Sequence, residues 1–216
     1  MRAEQMLTDP EALTFDARAL NWRFVTPSEP TGMLLLPAEN ERISWAVTPF
    51  ETAGALAEAL RSGPYPGVAI PDLHRWARIA DIDAATLLGA AAQSLAAGGW
   101  IYAGFANPWY PLRSGGKSLR LGKALSVLRR HGLTSTDVYV VFPDQRRPAY
   151  LIPRDGRLEL EFFLQRFFLP YADGDGARAR VTRATLPSAR RAALGVPHRV
   201  RVALAPAFAV VSGRPS

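Results

Sequence analysis

The 216-residue chain has no cysteine. That excludes disulfides, thiolate metal sites and a cysteine nucleophile together, and gives no sign of an oxidising compartment. A long apolar run is missing too. The opening MRAEQMLTDPEALTFDARAL carries acids where a signal peptide needs a continuous apolar core, and the longest weakly apolar stretch, residues 84–97, is interrupted by Gln93 and Ser94. A soluble, cytoplasmic protein with no membrane contact is expected. No group of histidines and carboxylates has metal-ligand spacing, so no metal is expected. Ser114, in RSGGKS, lacks the strand that a nucleophile elbow requires, so no catalytic residue follows from a motif.

Acids are absent from one end. Residues 177–216 hold eight arginines and no acid, residues 113–176 hold 11 basic residues and 7 acids, and residues 1–112 hold 7 arginines and 12 acids. The net charge of +7 is therefore a property of the C-terminal part. Such polarity can steer an acidic partner or a phosphorylated substrate, or it can be a solvated arginine-rich tail. Aromatics are not interleaved with these arginines, so nucleic acid is not an expected partner.

What is present points to one domain over 1–216: 48% hydrophobic residues suffice for a single core and not for two. The 18 prolines and 17 glycines punctuate apolar runs and form no repeat. GMLLLP (32–37) and ISWAVTP (43–49) read as strands, TAGALAEALRS as a short helix, and PGVAIPD as a buried strand ending in an acid. Asp83 suits the N-cap of the helix DAATLLGAAAQSLAA, with Gly98 and Gly99 as its stop. WIYAGF is the next strand, KSLRLGKALSVLRR a helix with Leu121, Leu125 and Leu128 on one face, and VYVVFP a further strand. Strands apolar on both faces, alternating with helices, imply a mostly parallel sheet covered on two sides, a Rossmann-like α/β sandwich.

Residues 1–30 read as an N-terminal arm whose FDARALNWRFV packs on the body. Residues 144–200 read as a helical, basic insertion before the last strand: LELEFFLQRFFLPY with a stripe of Leu158, Phe162, Leu164, Phe168 and Leu169, the loop DGDGARAR, and a basic helix over 178–195. VRVALAPAFAVVSG closes with one or two strands.

The order GPYPGVAIPDLHRW, helix, LAAGGWIYAGFANPWYP, helix ending RRHGLTSTDVYVVFPDQRRPAYLIP, and finally APAFAVVSGRP resembles the second half of a class I S-adenosylmethionine-dependent methyltransferase, over about residues 63–153 and 201–214. The nearest flavour is the subgroup associated with polysaccharide and secondary-metabolite clusters. The resemblance implies a cofactor crevice at the strand ends, with Glu51 placed to hold ribose hydroxyls and Asp72 to line the cleft; either is equally a helix N-terminal acid favoured by the dipole. It places Asn107, Trp109 and Tyr110 at the mouth of the crevice, where they fill it or meet a partner.

The first half departs from that family. Active members carry a glycine-rich loop after the first strand, so that backbone can approach the cofactor; here the strand runs into PAENER, with Pro37 and no glycine. Only residues 38–67 separate it from the next matched strand, less than half of what the missing βα units need at roughly 25 residues each. The expectation is a degenerate methyltransferase-like protein without S-adenosylmethionine turnover and with no cofactor. It would be an accessory or scaffolding subunit, with a tailoring enzyme or substrate peptide as protein partner, in peptide or secondary-metabolite (natural product) biosynthesis. The alternative is an active methyltransferase of a small metabolite or peptide, with S-adenosylmethionine as cofactor.

Among other candidates, Asp72 and His74 could form a base dyad if a strand held them on one face, and diverge if the segment enters a helix. His131 suits a helix C-terminus, and His198 suggests nothing specific. LRSGGKS (112–118) reads as a flexible loop or a weak anion cradle. Arg146 and Arg147, between Pro143 and Pro148, form a stiffened basic corner for an acidic peptide or phosphate, or a polar turn.

Overall fold

A computed structural model describes residues 17–27, 31–39, 45–111, 119–167, 187–188 and 191–216. The segment 112–118, the loop DGDGARAR, Phe168 and Leu169, and most of the basic helix expected over 178–195 lie outside these residues.

The strands are β1 (Met33–Leu35), β2 (Ala46–Val47), β3 (Tyr65–Ile70), β4 (Leu95–Ala106), β5 (Ser135–Phe142), β6 (Tyr150–Pro153) and β7 (Ala207–Gly213). They form one seven-stranded sheet in the order β2-β1-β3-β4-β7-β5-β6. The first four are mutually parallel, and β7 lies antiparallel between β4 and β5. This is the Rossmann-like, methyltransferase-type α/β architecture with a short N-terminal half: β1, β2 and a single helix precede β3. Within 144–200, Tyr150–Pro153 is not helical but hydrogen-bonds to β5 as the sheet's edge.

The helices with full bounds are α1 (Ala53–Arg61), α2 (Leu73–Ile79), α3 (Ala84–Gln93), α4 (Leu121–Arg130), α5 (Arg157–Phe167) and α6 (His198–Ala203); the described residues 187–188 and 191–195, within the expected basic helix, are helical too, and Ala17–Phe24 is a 3-10 segment. Polar caps set three of the starts. The Thr52 hydroxyl accepts from the Ala55 amide at 3.2 Å, Asp72 from the Arg75 amide at 3.2 Å, and Asp83 from the Ala85 and Thr86 amides at 2.8 and 3.1 Å.

All six of these helices that contribute buried side chains do so to one face of the sheet, against Leu34, Val68, Ile70, Ile101, Phe105, Val140 and Val210. The alternate strand residues, Met33, Leu35, Ala69, Trp100, Tyr102, Val141, Ala207, Ala209 and Val211, form a second cluster with Trp22 of the 3-10 segment. Trp22 is fully buried, and its ring centroid lies 6.3 Å from that of Trp100 and 6.0 Å from that of Tyr102. Burial pushes the Tyr102 hydroxyl well above its ordinary pKa. Among the described residues no helix packs on this cluster, and aromatic bulk from the 3-10 segment and from β4 covers it.

Two further expectations are corrected. Gly98 and Gly99 do not end α3. That helix stops at Gln93, where the Ser94 hydroxyl donates to the Ala91 carbonyl and the Ser94 carbonyl accepts from the Tyr65 amide at 2.7 Å, drawing the chain into the sheet. Both glycines lie in β4, Gly98 at φ +70° and Gly99 packed so closely on the Tyr65 and Pro66 carbonyls that a Cβ would crowd them. VRVALA is the end of α6 and its cap, not strand: Arg201 turns inward and donates to the Val196 carbonyl at 2.7 Å and to Glu161 at 3.0 Å. On α5 the apolar stripe divides rather than facing one way: Leu160 and Phe163 are buried, with the Phe163 ring tilted against Phe142 and Tyr150, and Leu158 and Phe162 are exposed.

Trp22→Ala should lower the unfolding free energy by about 3–5 kcal/mol in chemical denaturation, the loss expected of a core tryptophan and not of a loose arm. Asp83→Ala should cost about 1 kcal/mol. Hydrogen bonds from Thr86 hold the Asp83 carboxyl below its ordinary value of 3.8. Its contribution is therefore full above that pH and lost as the pH falls through the lower, folded value, so the wild-type and Asp83→Ala curves should converge in acid.

Candidate functional site

The carboxyl ends of β1, β3 and β4 meet at one edge of the sheet, the place where open α/β sheets keep a crevice. Here β1 leaves the sheet through Leu36, Pro37 and Ala38, all buried. The Pro37 carbonyl accepts two hydrogen bonds from α2: from Trp76 Nε1 at 2.8 Å and from Arg75 Nη1 at 2.9 Å. The other guanidinium nitrogen of Arg75 donates to Glu51 Oε1 at 2.5 Å. Arg75 thus spans the ends of β1 and β2, and Glu51, after β2, is engaged by it.

Asp72 caps α2 and is buried beneath the crevice. Its Oδ1 faces the Arg75 amide and, at 3.4 Å, Gln145 Nε2. The segment therefore enters a helix, as one of the two sequence readings had it, and this oxygen is directed to Arg75 and Gln145, not to His74. Gly104 of β4 lies against the Pro71 carbonyl so closely that any Cβ would collide with it, which fixes the approach of β4 to the Asp72 turn.

The corner after β5 folds back over the same edge. Arg147 forms a two-pronged pair with Glu39, Nε and Nη2 each 2.9 Å from a carboxylate oxygen, and Asn21 Nδ2 donates to the Pro148 carbonyl at 2.7 Å. Asp144 Oδ1 accepts from the amides of Arg146 and Arg147, shaping the turn, and Asp144 also pairs with the Arg146 guanidinium at 3.5 Å. The two arginines thus have acidic partners within the chain.

At the mouth of β4 the three predicted residues separate. Asn107 is buried: its amide nitrogen donates to the Ala203 and Ala205 carbonyls at 2.8 and 2.7 Å, and its Oδ1 accepts from the Trp109 amide at 3.1 Å. Tyr110 is partly buried. Trp109 is 65% exposed, with the Arg120 guanidinium 5.6 Å from its ring centroid. Its indole projects from a braced turn and does not fill the crevice.

Sequence reasoning missed Arg75, Trp76, Gln145 and Glu39. One signal was available for Arg75: a cation in the first turn of a helix opposes the macrodipole, so it needs an acid elsewhere, which Glu51 supplies. Elsewhere, His198 Nε2 lies 2.9 Å from the Arg154 carbonyl, and His131 caps the carboxyl end of α4. Among the described residues no acid and histidine cluster could hold a metal, and no helix is long and apolar enough to cross a membrane.

No protein-family model matches the sequence, and no curated protein matches it. Among solved structures, a SAM-dependent methyltransferase from Archaeoglobus fulgidus is similar at 12% identity and a TM-score of 0.46, over 98% of this chain and 97% of that one. Phospholethanolamine N-methyltransferase 2 of Haemonchus contortus, in complex with phosphomonomethylethanolamine and S-adenosylhomocysteine, is similar at 10% identity and 0.46, over 94% of this chain and 53% of that one. A SAM-dependent methyltransferase from Geobacter sulfurreducens, in complex with S-adenosyl-L-homocysteine, is similar at 18% identity and 0.34, over 96% and 92%.

Asn107→Ala should destabilise the protein by about 1–3 kcal/mol, because it strands two carbonyls and an amide at a buried junction. Trp109→Ala, which removes a mostly exposed ring, should stay within about 1 kcal/mol of wild type. Thermal and urea unfolding of the two variants side by side checks the contrast.

Proposed function

We propose that the chain is a methyltransferase-fold binding protein that does not turn over S-adenosylmethionine, and that it serves as an accessory or scaffolding subunit to a protein partner in peptide or secondary-metabolite biosynthesis. The observation that carries the first part is the Arg75 bridge. A nucleotide-like cofactor at the strand ends needs free backbone amides after β1 and a free acid after β2. Here Pro37 has no amide hydrogen, its carbonyl takes donors from Arg75 and Trp76, and Glu51 is paired. The residues present do not fit that group. The biosynthetic setting rests on the sequence resemblance, and the role of the partner on the braced, exposed Trp109 with Arg120 beside it, residue types that dominate interface energetics.

A second reading, an active methyltransferase, is favoured by one feature. The Glu51 side chain is 45% exposed, and an ion pair with that much water contributes only about 0–1 kcal/mol, so a ligand could displace it. Titrating the protein calorimetrically with S-adenosylmethionine and with S-adenosylhomocysteine separates the two. The proposal expects no saturable heat with either compound, and micromolar binding of either, abolished by Glu51→Gln, establishes the second reading instead.

A further inference from the structure

A shaped cavity lies at the opposite end of the sheet from the crevice. It has a volume of about 510 Å³ and is walled by Leu125 and Arg129 of α4, Thr136, Val138 and Tyr139 of β5, and Arg154 just after β6. Its position follows from a mismatch of strand lengths. β5 runs from Ser135 to Phe142 and is paired with β7 from Ser135 to Val141, but β6 covers only Tyr139 to Phe142. The last bond on that side runs from the Arg154 amide to the Val138 carbonyl at 2.7 Å, after which the chain turns into α5. In an antiparallel ladder alternate residues direct their amide and carbonyl to the same neighbour. Thr136, two residues before Val138, therefore directs both groups toward the edge that β6 has vacated, beside the cavity.

We infer that this vacated edge of β5 is a binding site for the C-terminal segment of a partner polypeptide, taken up as an added strand. The slot is four residues long, about 13 Å at the rise of a strand, which suits a short extended segment and no helix. The end of β6 at Pro153 closes one end of the slot, so a chain entering along β5 stops there. Arg129 has no ion pair among the described residues, and Arg154 lies 3.7 Å from Asp155, whose side chain is 96% exposed. Both guanidiniums line the cavity and supply a carboxylate partner, with Arg154 at the closed end. Asp137 and Asp155 also line the cavity and disfavour a strongly acidic peptide, which selects a single terminal carboxylate on an otherwise neutral strand. Leu125 and Val138 on the helix-covered face and Tyr139 on the other offer apolar surface to alternate side chains. The site is independent of the crevice, so the S-adenosylmethionine titration does not bear on it.

The test uses the full chain and an N-terminally labelled hexapeptide, Ser-Thr-Val-Thr-Val-Leu, with a free carboxylate, followed by fluorescence anisotropy. Saturable binding is expected with a Kd of roughly 10–100 μM. Converting the carboxylate to a carboxamide, or changing Arg129→Ala, should each weaken it about tenfold, with the melting temperature of the variant unchanged. A peptide N-methylated at alternate residues keeps its charge and cannot pair, and should not bind. Amide exchange at Thr136 should slow when the unmodified peptide binds. No saturable binding, equal affinity for the carboxamide, or equal affinity for the N-methylated peptide overturns the proposal.

Discussion

A sheet whose central strands are apolar on both faces has to be covered on both, and the rest of this molecule follows from how that is done. On one face the helices provide the cover. On the other, small residues at Ala69, Ala207 and Ala209 leave room beside Met33, Leu35 and Tyr102, and Trp22 closes over the rings of Trp100 and Tyr102. Tryptophan removes more surface from water than any other side chain, so one residue on a single 3-10 turn can do part of what a helix would. The N-terminal segment is thus core material, and the rings are held by packing: neither indole nitrogen nor the Tyr102 hydroxyl has a hydrogen bond among the described residues.

The same compression sets the chemistry of the crevice. With one helix between β2 and β3, and β1 leaving the sheet through a proline, the turn after β1 presents a carbonyl where a phosphate- or nucleotide-binding turn presents amides. A carbonyl attracts donors, and α2 supplies them from Arg75 and Trp76. Arg75 then draws in Glu51, while Glu39 and Asp72 are engaged by Arg147 and Gln145 from the corner after β5. Among the described residues, the Pro37 carbonyl, Glu51, Glu39 and Asp72 are thus answered from within the chain, whereas the Thr48 hydroxyl after β2 is buried without a hydrogen bond.

Much of the architecture was legible in the sequence. The glycine and proline punctuation marked the strands, Asp83 and the alanine-rich periodicity marked α3, and the order of elements marked the methyltransferase-type fold. The errors share a physical origin. Gly98 and Gly99 suit a helix stop as well as a strand that passes close to neighbouring carbonyls, and only the pairing with β3 decides between them. VRVALA alternates like a strand, but the inward turn of Arg201 toward Glu161 and two backbone carbonyls makes it helical. Leu158 and Phe162 share a helical stripe with apolar neighbours, yet they are exposed, while Phe163 packs against Phe142 and Tyr150.

For the site, the sequence alone determined that the turn after β1 lacks glycine and that aromatics sit at the mouth of β4, because these are properties of residue type and local order. Only the tertiary structure decided that Asn107 is a buried brace and Trp109 an exposed ring, that Arg75 reaches Glu51 across 24 residues and Arg147 reaches Glu39 across 108, and that β6 ends short of β5. Those facts depend on which side chains arrive at the same edge of the sheet, and spacing along the chain carries no information about that until the strands have paired.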